Sequence, residues 1–231
     1  MSIAENIAKI RAQMNEAAIA AGRDPKEILL CAATKMNDAD AVRAAVAGGV
    51  DVCGENRVQE LTQKLSEHAY DGAPVHFIGH LQTNKVKQVV GKVDLIQSVD
   101  SLRLLEAIQK EAARQNIRQD ILLEVNIGQE ESKSGFQAEE ILPLVKEFSK
   151  YPNICLRGLM AIPPISQNSG DNRKFFEKMC SLTVDITTKN VDNICVDILS
   201  MGMSDDFADA IACGSTMVRI GTAIFGQRHY A

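Results

Sequence analysis

The sequence predicts a single TIM-type (β/α)8 barrel with an extra helix at its N-terminus. About eight short apolar runs of strand length recur along the 231 residues, and nearly all of them are followed by a segment with helical periodicity. No linker interrupts the alternation, so residues 1–231 are expected to form one domain. The alternative, a doubly wound open sheet, is disfavoured because the first strand lacks a Gly-x-Gly-x-x-Gly turn and because about eight strands close a barrel.

The N-terminal helix and the predicted strands follow from local patterns. Ser2 and Glu5 form a capping-box pattern, and an apolar stripe runs from Ile3 to Ala18 before Gly22 ends the helix. Apolar runs predict strands at 29–33, 50–53, 75–78, 95–98, 121–125, 154–160, 195–199 and 217–220. Helical patterns between them cover 38–46, 58–68, 85–90, 102–115, 139–149, 173–189 and 205–212.

The composition excludes several classes of function. The chain is 45% hydrophobic and 24% charged, as in an ordinary globular protein. Its net charge of -5, with no long basic run, argues against a nucleic-acid surface, and no apolar stretch is long enough to span a membrane. The first residues lack the layout of a signal peptide, so we expect a cytoplasmic protein.

Cysteine and histidine spacing gives no sign of a metal site. The six cysteines are scattered without a Cys-x-x-Cys pair, which is typical of reduced thiols and not of a disulfide or zinc framework. Among the histidines, His68 and His229 are expected in solvent, His76 in a strand, and only His80 at the active rim. No pair has metal-ligand spacing with a cysteine or carboxylate, so we expect no metal.

Lys35 is the first candidate for chemistry, because it follows the apolar run 29–33 at the predicted carboxyl end of a strand. Lysine is rarely buried, and a desolvated amine loses its proton more easily and can form a Schiff base. From this stretch alone, a lysine with its head in water is the simpler interpretation.

A phosphate site is indicated after the last two strands. Loops at these positions, with a helix N-terminus, recur as phosphate sites in this fold. The seventh loop offers Ser200 and Ser204, the latter as the expected N-cap of a helix, and the eighth offers Gly221 and Thr222. On spacing alone, Ser204 capping its helix and the glycines making turns is an equally good interpretation. The acidic pair at 205 and 206 lies in the same turn and opposes a phosphate unless it points away.

Arg219 adds a third element to the candidate site. It lies in an apolar strand, and strand alternation places it on the same side as Gly221. If that side is the barrel interior, the charged guanidinium needs an acceptor, and an aromatic ring nitrogen would serve. A lysine able to form a Schiff base, a phosphate site and an arginine for a ring nitrogen together describe a site for pyridoxal 5'-phosphate.

The sequence resembles the pyridoxal-phosphate homeostasis protein family, also called the YggS/PROSC family, which is similar to the barrel domain of bacterial alanine racemases. The resemblance covers almost the whole chain, and several long motifs in the right order are a strong signal. It is carried by the segments 33–35, 54–60, 77–85, 133–136, 158–162, 199–204 and 218–226.

The resemblance implies a role for each site residue. Lys35 would hold the cofactor as a Schiff base, and Arg219 would face its pyridine nitrogen. The phosphate would be held by Ser200, Ser204, Gly221 and Thr222, and the ring would be lined by Asn56, His80 and Met201.

The resemblance also implies a function. It implies a pyridoxal-phosphate-binding protein of intracellular cofactor homeostasis and of amino and keto acid balance, expected to be a monomer and to pass its cofactor to apo-enzymes. Alanine racemases add a second domain that supplies a catalytic tyrosine, and only five residues follow Gly226 here. We therefore expect no efficient catalysis.

Two other functions remain open at this point. One is an amino-acid racemase using the same cofactor, which the missing second domain disfavours. The other is a lysine Schiff-base aldolase acting on a sugar phosphate, which needs no ring contact and so leaves Arg219 unexplained. A minor hypothesis makes the loop 130–133 a mobile lid that brings Lys133 near the cofactor, although such a charged loop is more simply a solvated rim.

Overall fold

Eight parallel strands close into a barrel in sequence order in a computed structural model of the protein, which describes residues 1–130, 133–164, 170–189 and 191–226. Each strand pairs with the next along the chain, and β8 pairs with β1 so that Arg219 lies opposite Cys31. The strands are β1 Leu29–Ala33, β2 Val52–Glu55, β3 Val75–Phe77, β4 Leu95–Val99, β5 Gln119–Val125, β6 Ile154–Ala161, β7 Ile194–Ser200 and β8 Met217–Ile220. The predicted (β/α)8 fold is confirmed.

Helices follow most of the strands and cover the outside of the barrel. They are α1 Ile3–Ala20, α2 Ala39–Ala47, α3 Val58–Ser66, α4 Leu102–Gln115, α5 Ala138–Lys146, α6 Arg173–Thr187, α7 Phe207–Ala212 and α8 Thr222–Phe225. Shorter 3-10 turns cover Pro25–Glu27, Thr83–Gln88 and Phe148–Lys150. The α-helix predicted at 85–90 is therefore a 3-10 segment, and α8 was not among the predicted helices. None of the helices within the described ranges is long and apolar enough to cross a lipid bilayer.

The N-terminal helix is capped as predicted and packs against other helices of the outer shell. Ser2 and Glu5 exchange side-chain to backbone hydrogen bonds of 3.2 and 2.7 Å, which satisfies two N–H groups at the helix start. The apolar stripe of α1 is buried, with α7, α8 and α2 as the helices it contacts, and Asn6 donates a 2.8 Å hydrogen bond to the carbonyl of Ile224 in α8. Helix α1 thereby holds the segment that follows the last strand.

The barrel interior differs from the shell around it. Leu30 and Ala32 of β1 belong to the large core between strands and helices, whereas Cys31 belongs to a separate small cluster. This alternation is that of a strand with one face toward the barrel axis and one toward the helices. Near the carboxyl rim the interior becomes polar, with Gln97, Ser200 and Arg219 all buried.

Two segments considered above lie partly or wholly outside the described residues. These are 131–132 in the proposed lid loop and the tail 227–231 with His229.

Candidate functional site

A cavity of about 220 Å³ opens where β1, β2, β7 and β8 end. It brings together six of the nine predicted site residues, which are Lys35, Asn56, Ser204, Arg219, Gly221 and Thr222. The rest of its lining comes from Ala33, Ile78, Ile162, Met203 and Asp205. Strand ends far apart in the sequence converge here because all eight strands run in parallel.

Lys35 stands two residues past the end of β1 and is half-buried. Thr34 before it is fully buried and extends the strand pairing through a 2.8 Å hydrogen bond from its N–H to the Gly54 carbonyl. Met36 after it turns the chain with a left-handed φ of 60°, and Asp38 then caps α2 by accepting from Ala41 N–H at 2.8 Å. A strand and a helix start thus hold the lysine between them.

Arg219 is only 5% exposed, and both arms of its guanidinium are engaged. One nitrogen donates to Ser200 Oγ at 2.5 Å, and the other donates to the Ala161 carbonyl at 2.9 Å. Burial lowers the pKa of Arg219 from its ordinary value, while Cys31, Glu124 and Asp206 act in the opposite direction. Arginine nevertheless keeps its proton near neutral pH, so this group is a fixed donor at the cavity wall.

A chain of hydrogen bonds, here called the lumen chain, continues from Arg219 into the barrel. Ser200 Oγ donates to Gln97 Oε1 at 2.7 Å, and Gln97 Nε2 lies 2.9 Å from His76 Nδ1. His76 is buried, and burial lowers its pKa to about 4, so the ring is neutral at ordinary pH. The structure therefore places Ser200 in the lumen chain, with its hydroxyl bound to Arg219 and Gln97, and not in the cavity lining.

The predicted phosphate end of the cavity contains Ser204, Gly221 and Thr222. Ser204 is not the N-cap of the following helix: α7 begins at Phe207, and Asp206 takes the cap position. The prediction was wrong because Asp206 holds the loop itself, accepting from Met203 N–H at 2.7 Å and from Asn172 at 2.8 Å. Ser204 is thereby left to line the cavity.

The acidic pair divides between two positions. Asp206 is bound within its own loop, whereas Asp205 is exposed and lines the cavity. An anion in this cavity therefore lies near one carboxylate, and neutral donors and Arg219 must offset it.

A second cavity of about 310 Å³ adjoins the first and shares Asn56, Ile78 and Ile162 with it. His80 lines this second cavity, with Nδ1 3.0 Å from Asp100. Lys133 lines it too and donates to the Pro163 carbonyl at 3.1 Å. His80 is therefore beside the first cavity and does not line it.

Glu124 of β5 contributes an acidic side chain to the lining of this second cavity. Burial raises the pKa of its carboxyl to about 7; Asp100 adds to the effect and Arg219 opposes it.

Met201 does not line either cavity. It is fully buried in the main core, and its N–H donates to the Met217 carbonyl at 3.1 Å.

Asn56 lies between the two cavities and presents an unused acceptor. Its side-chain oxygen is buried and accepts no hydrogen bond from any described residue. Its N–H donates to Glu55 Oε1 at 2.7 Å, and Gly79 packs so closely that a Cβ there would overlap the Asn56 carbonyl. A buried acceptor without a partner is costly, so the site fits a ligand that brings a donor.

The fold and the site together define a class of protein. Its members are closed parallel (β/α)8 barrels with a lysine, an arginine and small hydrogen-bond donors at the carboxyl rim. The model of the family described as alanine racemase, N-terminal domain, matches residues 2–229, and the chain belongs to this family. The pyridoxal phosphate homeostasis protein of Aquifex aeolicus is 41% identical over 230 residues and is covered in full, as is this chain. The resemblance stated from the sequence is confirmed.

Two solved structures are also close. A protein of unknown function from Bifidobacterium adolescentis has a TM-score of 0.89 at 35% identity, covering 96% of this chain and 94% of that one. PipY of Synechococcus elongatus, solved with PLP bound, has a TM-score of 0.84 at 30% identity, covering 97% of this chain and 100% of that one.

Four residues in or near the cavities were not predicted from the sequence. Ile78 and Ile162 line both cavities, and their positions just after a strand could have indicated this. Gln97 and Glu124 could have been found from a weaker indication, since each is a polar residue within an apolar strand.

Proposed function

We propose that the protein binds pyridoxal 5'-phosphate and acts in the intracellular homeostasis of this cofactor and in amino and keto acid balance. The observation that carries the proposal is the convergence of Lys35, Arg219 and Thr222 on one cavity. The names of the relatives and the PLP-bound structure of PipY support it.

Each end of the cavity matches one part of the ligand. The Lys35 amine would hold the aldehyde as a Schiff base, and Arg219 would donate to the pyridine nitrogen. Ser204, Thr222 and the Gly221 backbone hold the phosphate, as small hydroxyls and glycine amides do elsewhere. Asn56 supplies its unused acceptor to the ring side. When bound, the cofactor supplies an electrophilic aldehyde and a conjugated ring that accepts electrons.

The three predicted residues outside the cavity take other roles in this proposal. Ser200 fixes the direction of the Arg219 guanidinium through their 2.5 Å hydrogen bond. His80 lines the second cavity, beside the first, and binds Asp100 there. Met201 supports the loop after β7 from within the core.

The proposal has further parts about the whole molecule. The chain acts as one domain over residues 1–231, works in the cytoplasm as a monomer, and passes its cofactor to apo-enzymes. The acidic net charge of -5 argues against a nucleic-acid partner. Size-exclusion chromatography with light scattering checks the oligomeric state.

Absorption spectroscopy with borohydride reduction tests the central proposal. The purified protein with pyridoxal phosphate is expected to be yellow, and reduction is expected to fix the cofactor on Lys35, as located by mass spectrometry. Lys35→Ala is expected to lose the visible band and to retain weak binding through the phosphate. Lys92→Ala, at an exposed lysine, is the matched control. An adduct on another lysine of the parent protein would overturn the assignment of Lys35.

A further inference from the structure

Lys64 of α3 is a buried lysine that the proposed site does not use. It is 4% exposed, and its ammonium donates to the Thr34 carbonyl at 2.8 Å, Glu55 Oε2 at 2.7 Å and Glu60 Oε2 at 3.2 Å. An ammonium has three donors, so this group is fully satisfied. Such complete pairing offsets the high cost of burying its charge.

The partners of Lys64 hold the backbone on both sides of Lys35. Before Lys35, the Thr34 carbonyl accepts directly from the Lys64 ammonium. After Lys35, the Met36 N–H donates to Glu60 Oε2 at 2.7 Å, and this is the same oxygen that Lys64 binds. Met36 has a left-handed φ of 60°, a conformation that a residue without Cβ adopts more easily. The Glu60 contact therefore stabilises a turn that is unfavourable by itself.

Glu55 extends this support to Asn56, which follows the neighbouring strand β2 and also lines the cavity. Its carboxylate is fully buried at the end of β2. Oε2 accepts from Lys64, from the Thr34 hydroxyl at 3.0 Å and from the Tyr70 hydroxyl at 3.2 Å. Oε1 accepts from the Asn56 N–H at 2.7 Å. One buried carboxylate thus joins the residue before Lys35 to Asn56 at the end of the neighbouring strand.

We infer that Lys64, acting with Glu55 and Glu60, is a positioning residue that orients Lys35 for covalent binding of an aldehyde ligand. Buried ion pairs contribute little stability compared with apolar side chains of similar size, so stability alone does not account for this cluster. Reactivity of an amine toward a bound carbonyl depends strongly on distance and angle, which a fixed backbone on both sides of Lys35 provides. The inference rests on the proposed function.

Two phosphorylated ligands separate positioning from general support of the fold. Pyridoxal 5'-phosphate carries the aldehyde, whereas pyridoxine 5'-phosphate has the same ring and phosphate but an alcohol in its place. Equilibrium dialysis gives both dissociation constants for the parent and for Lys64→Met. We expect Lys64→Met to lower the affinity for the aldehyde ligand about tenfold and the affinity for the alcohol ligand less than about twofold. Equal weakening of both ligands, or no weakening of either, would overturn the inference.

The parent protein distinguishes failure of the inference from failure of the proposed function. If the parent binds both ligands alike and borohydride leaves no adduct on Lys35, covalent binding itself is refuted, and the inference falls with it. If the parent forms the adduct and binds the aldehyde ligand more tightly than the alcohol ligand, the proposed function stands. The variants then test only whether Lys64 positions Lys35.

A second variant covers the case in which Lys64→Met does not fold, because that change leaves Glu55 buried without its cation. Glu60→Met removes the acceptor for Met36 N–H from a side chain that is 21% exposed, so the fold is more tolerant of it. Glu67→Met, at an exposed residue just past α3, is the matched control for loss of one negative charge. We expect Glu60→Met to lower the aldehyde preference about fivefold relative to Glu67→Met. The same preference in both variants would overturn the inference.

Discussion

The hydroxyls of Ser200 and Thr222 belong to neighbouring strand ends but face different groups. Thr222 lines the cavity, whereas Ser200 is fully buried between Arg219 and Gln97. The resemblance assigned both to the phosphate, because a small hydroxyl after a strand looks the same in a sequence whichever way it points. Substitution separates the two roles.

Thr222→Ala is expected to weaken binding of pyridoxal 5'-phosphate by roughly ten- to a hundredfold, since a hydrogen bond to a charged group contributes about 1.5 to 3 kcal/mol. Pyridoxal, which lacks the phosphate, should bind this variant and the parent alike. Fluorescence titration with both ligands provides the measurement. Loss of pyridoxal affinity to the same degree would show that Thr222 does not contact the phosphate.

Ser200→Ala is expected to act differently, because it removes one buried hydrogen-bond partner from Arg219 and one from Gln97. We expect a loss of about 1 to 3 kcal/mol in the free energy of unfolding and a parallel loss of affinity for pyridoxal and its phosphate. Urea unfolding and the same titration test this. A selective loss of the phosphate form would return Ser200 to the phosphate site.

At the scale of elements, Gly158 in β6 packs directly against the backbone of β7. Its φ is 142°, and a Cβ there would overlap the Ile198 carbonyl of β7. The register between β6 and β7 shifts next to it, between Leu156 and Gly158. Glycine is required because neighbouring backbone occupies the space of a side chain.

Gly158→Ala is therefore expected to lower the free energy of unfolding by at least about 3 kcal/mol, because the clash is with backbone that cannot rotate away. Gly22→Ala is the control: it has φ 69° but open space around it, so a loss of only about 1 kcal/mol is expected. Urea unfolding compares the two. An equal loss of unfolding free energy in both variants would contradict the predicted clash between position 158 and the backbone of β7.

The sequence predicted the elements of the barrel well because most of its strands are apolar runs and most of its helices carry apolar stripes. The exceptions have physical causes. Strand β2 was predicted at 50–53 but covers Val52–Glu55, because the Glu55 carboxylate is buried by pairing with Lys64 nine residues later. Periodicity treats a charged residue as exposed and cannot show such a partner.

The cavity was predictable in part for a related reason. Lys35, Arg219 and Thr222 follow from strand ends and from the resemblance, since chain position fixes the rim at which they meet. The direction of a side chain there depends on contacts between distant strands. Ser200 binds Gln97, which lies 103 residues earlier in the sequence, and no local pattern contains that information.

At the scale of the whole molecule, two buried groups give stability opposite dependences on pH. The pKa of His76 is lowered from 6.5 to about 4 by burial, with Asp94 opposing and Arg157 adding to the shift. The unfolded chain therefore binds the extra proton between pH 4 and 6.5, and this contribution to stability is lost as pH falls. The pKa of Glu124 is raised from 4.5 to about 7, so its contribution is lost as pH rises.

The contributions of His76 and Glu124 to stability are expected to cancel in part between pH 4.5 and 6.5. A variant that lacks one of the two groups should reveal the contribution of the other. Glu124→Gln should make stability rise more steeply with pH than in the parent, and His76→Asn should make it fall. Each difference should total about 3 kcal/mol at most across its window. Urea unfolding from pH 4 to 8 tests both signs. A difference of the wrong sign would contradict the stated burial effect.

Turnover of amino acids is expected to be negligible in the protein loaded with cofactor. Arg219 keeps its proton at neutral pH and leaves the ligand's ring nitrogen unprotonated, which weakens the ring as an electron acceptor. NMR of L-alanine in deuterated water follows loss of the α-proton. Exchange at about 1 per second or faster, abolished by Lys35→Ala, would instead establish an enzyme.

The lumen chain has a direction. Arg219 donates to Ser200, Ser200 donates to Gln97, and the Gln97 amide nitrogen, which has no lone pair to offer, donates to His76 Nδ1. The imidazole must then carry its hydrogen on Nε2, and each bond in the series polarises the next. A change in charge at the cofactor's ring nitrogen should therefore shift the nitrogen-15 resonance of His76 Nδ1. The His76 resonance should therefore report on the ligand bound in the cavity at the carboxyl rim.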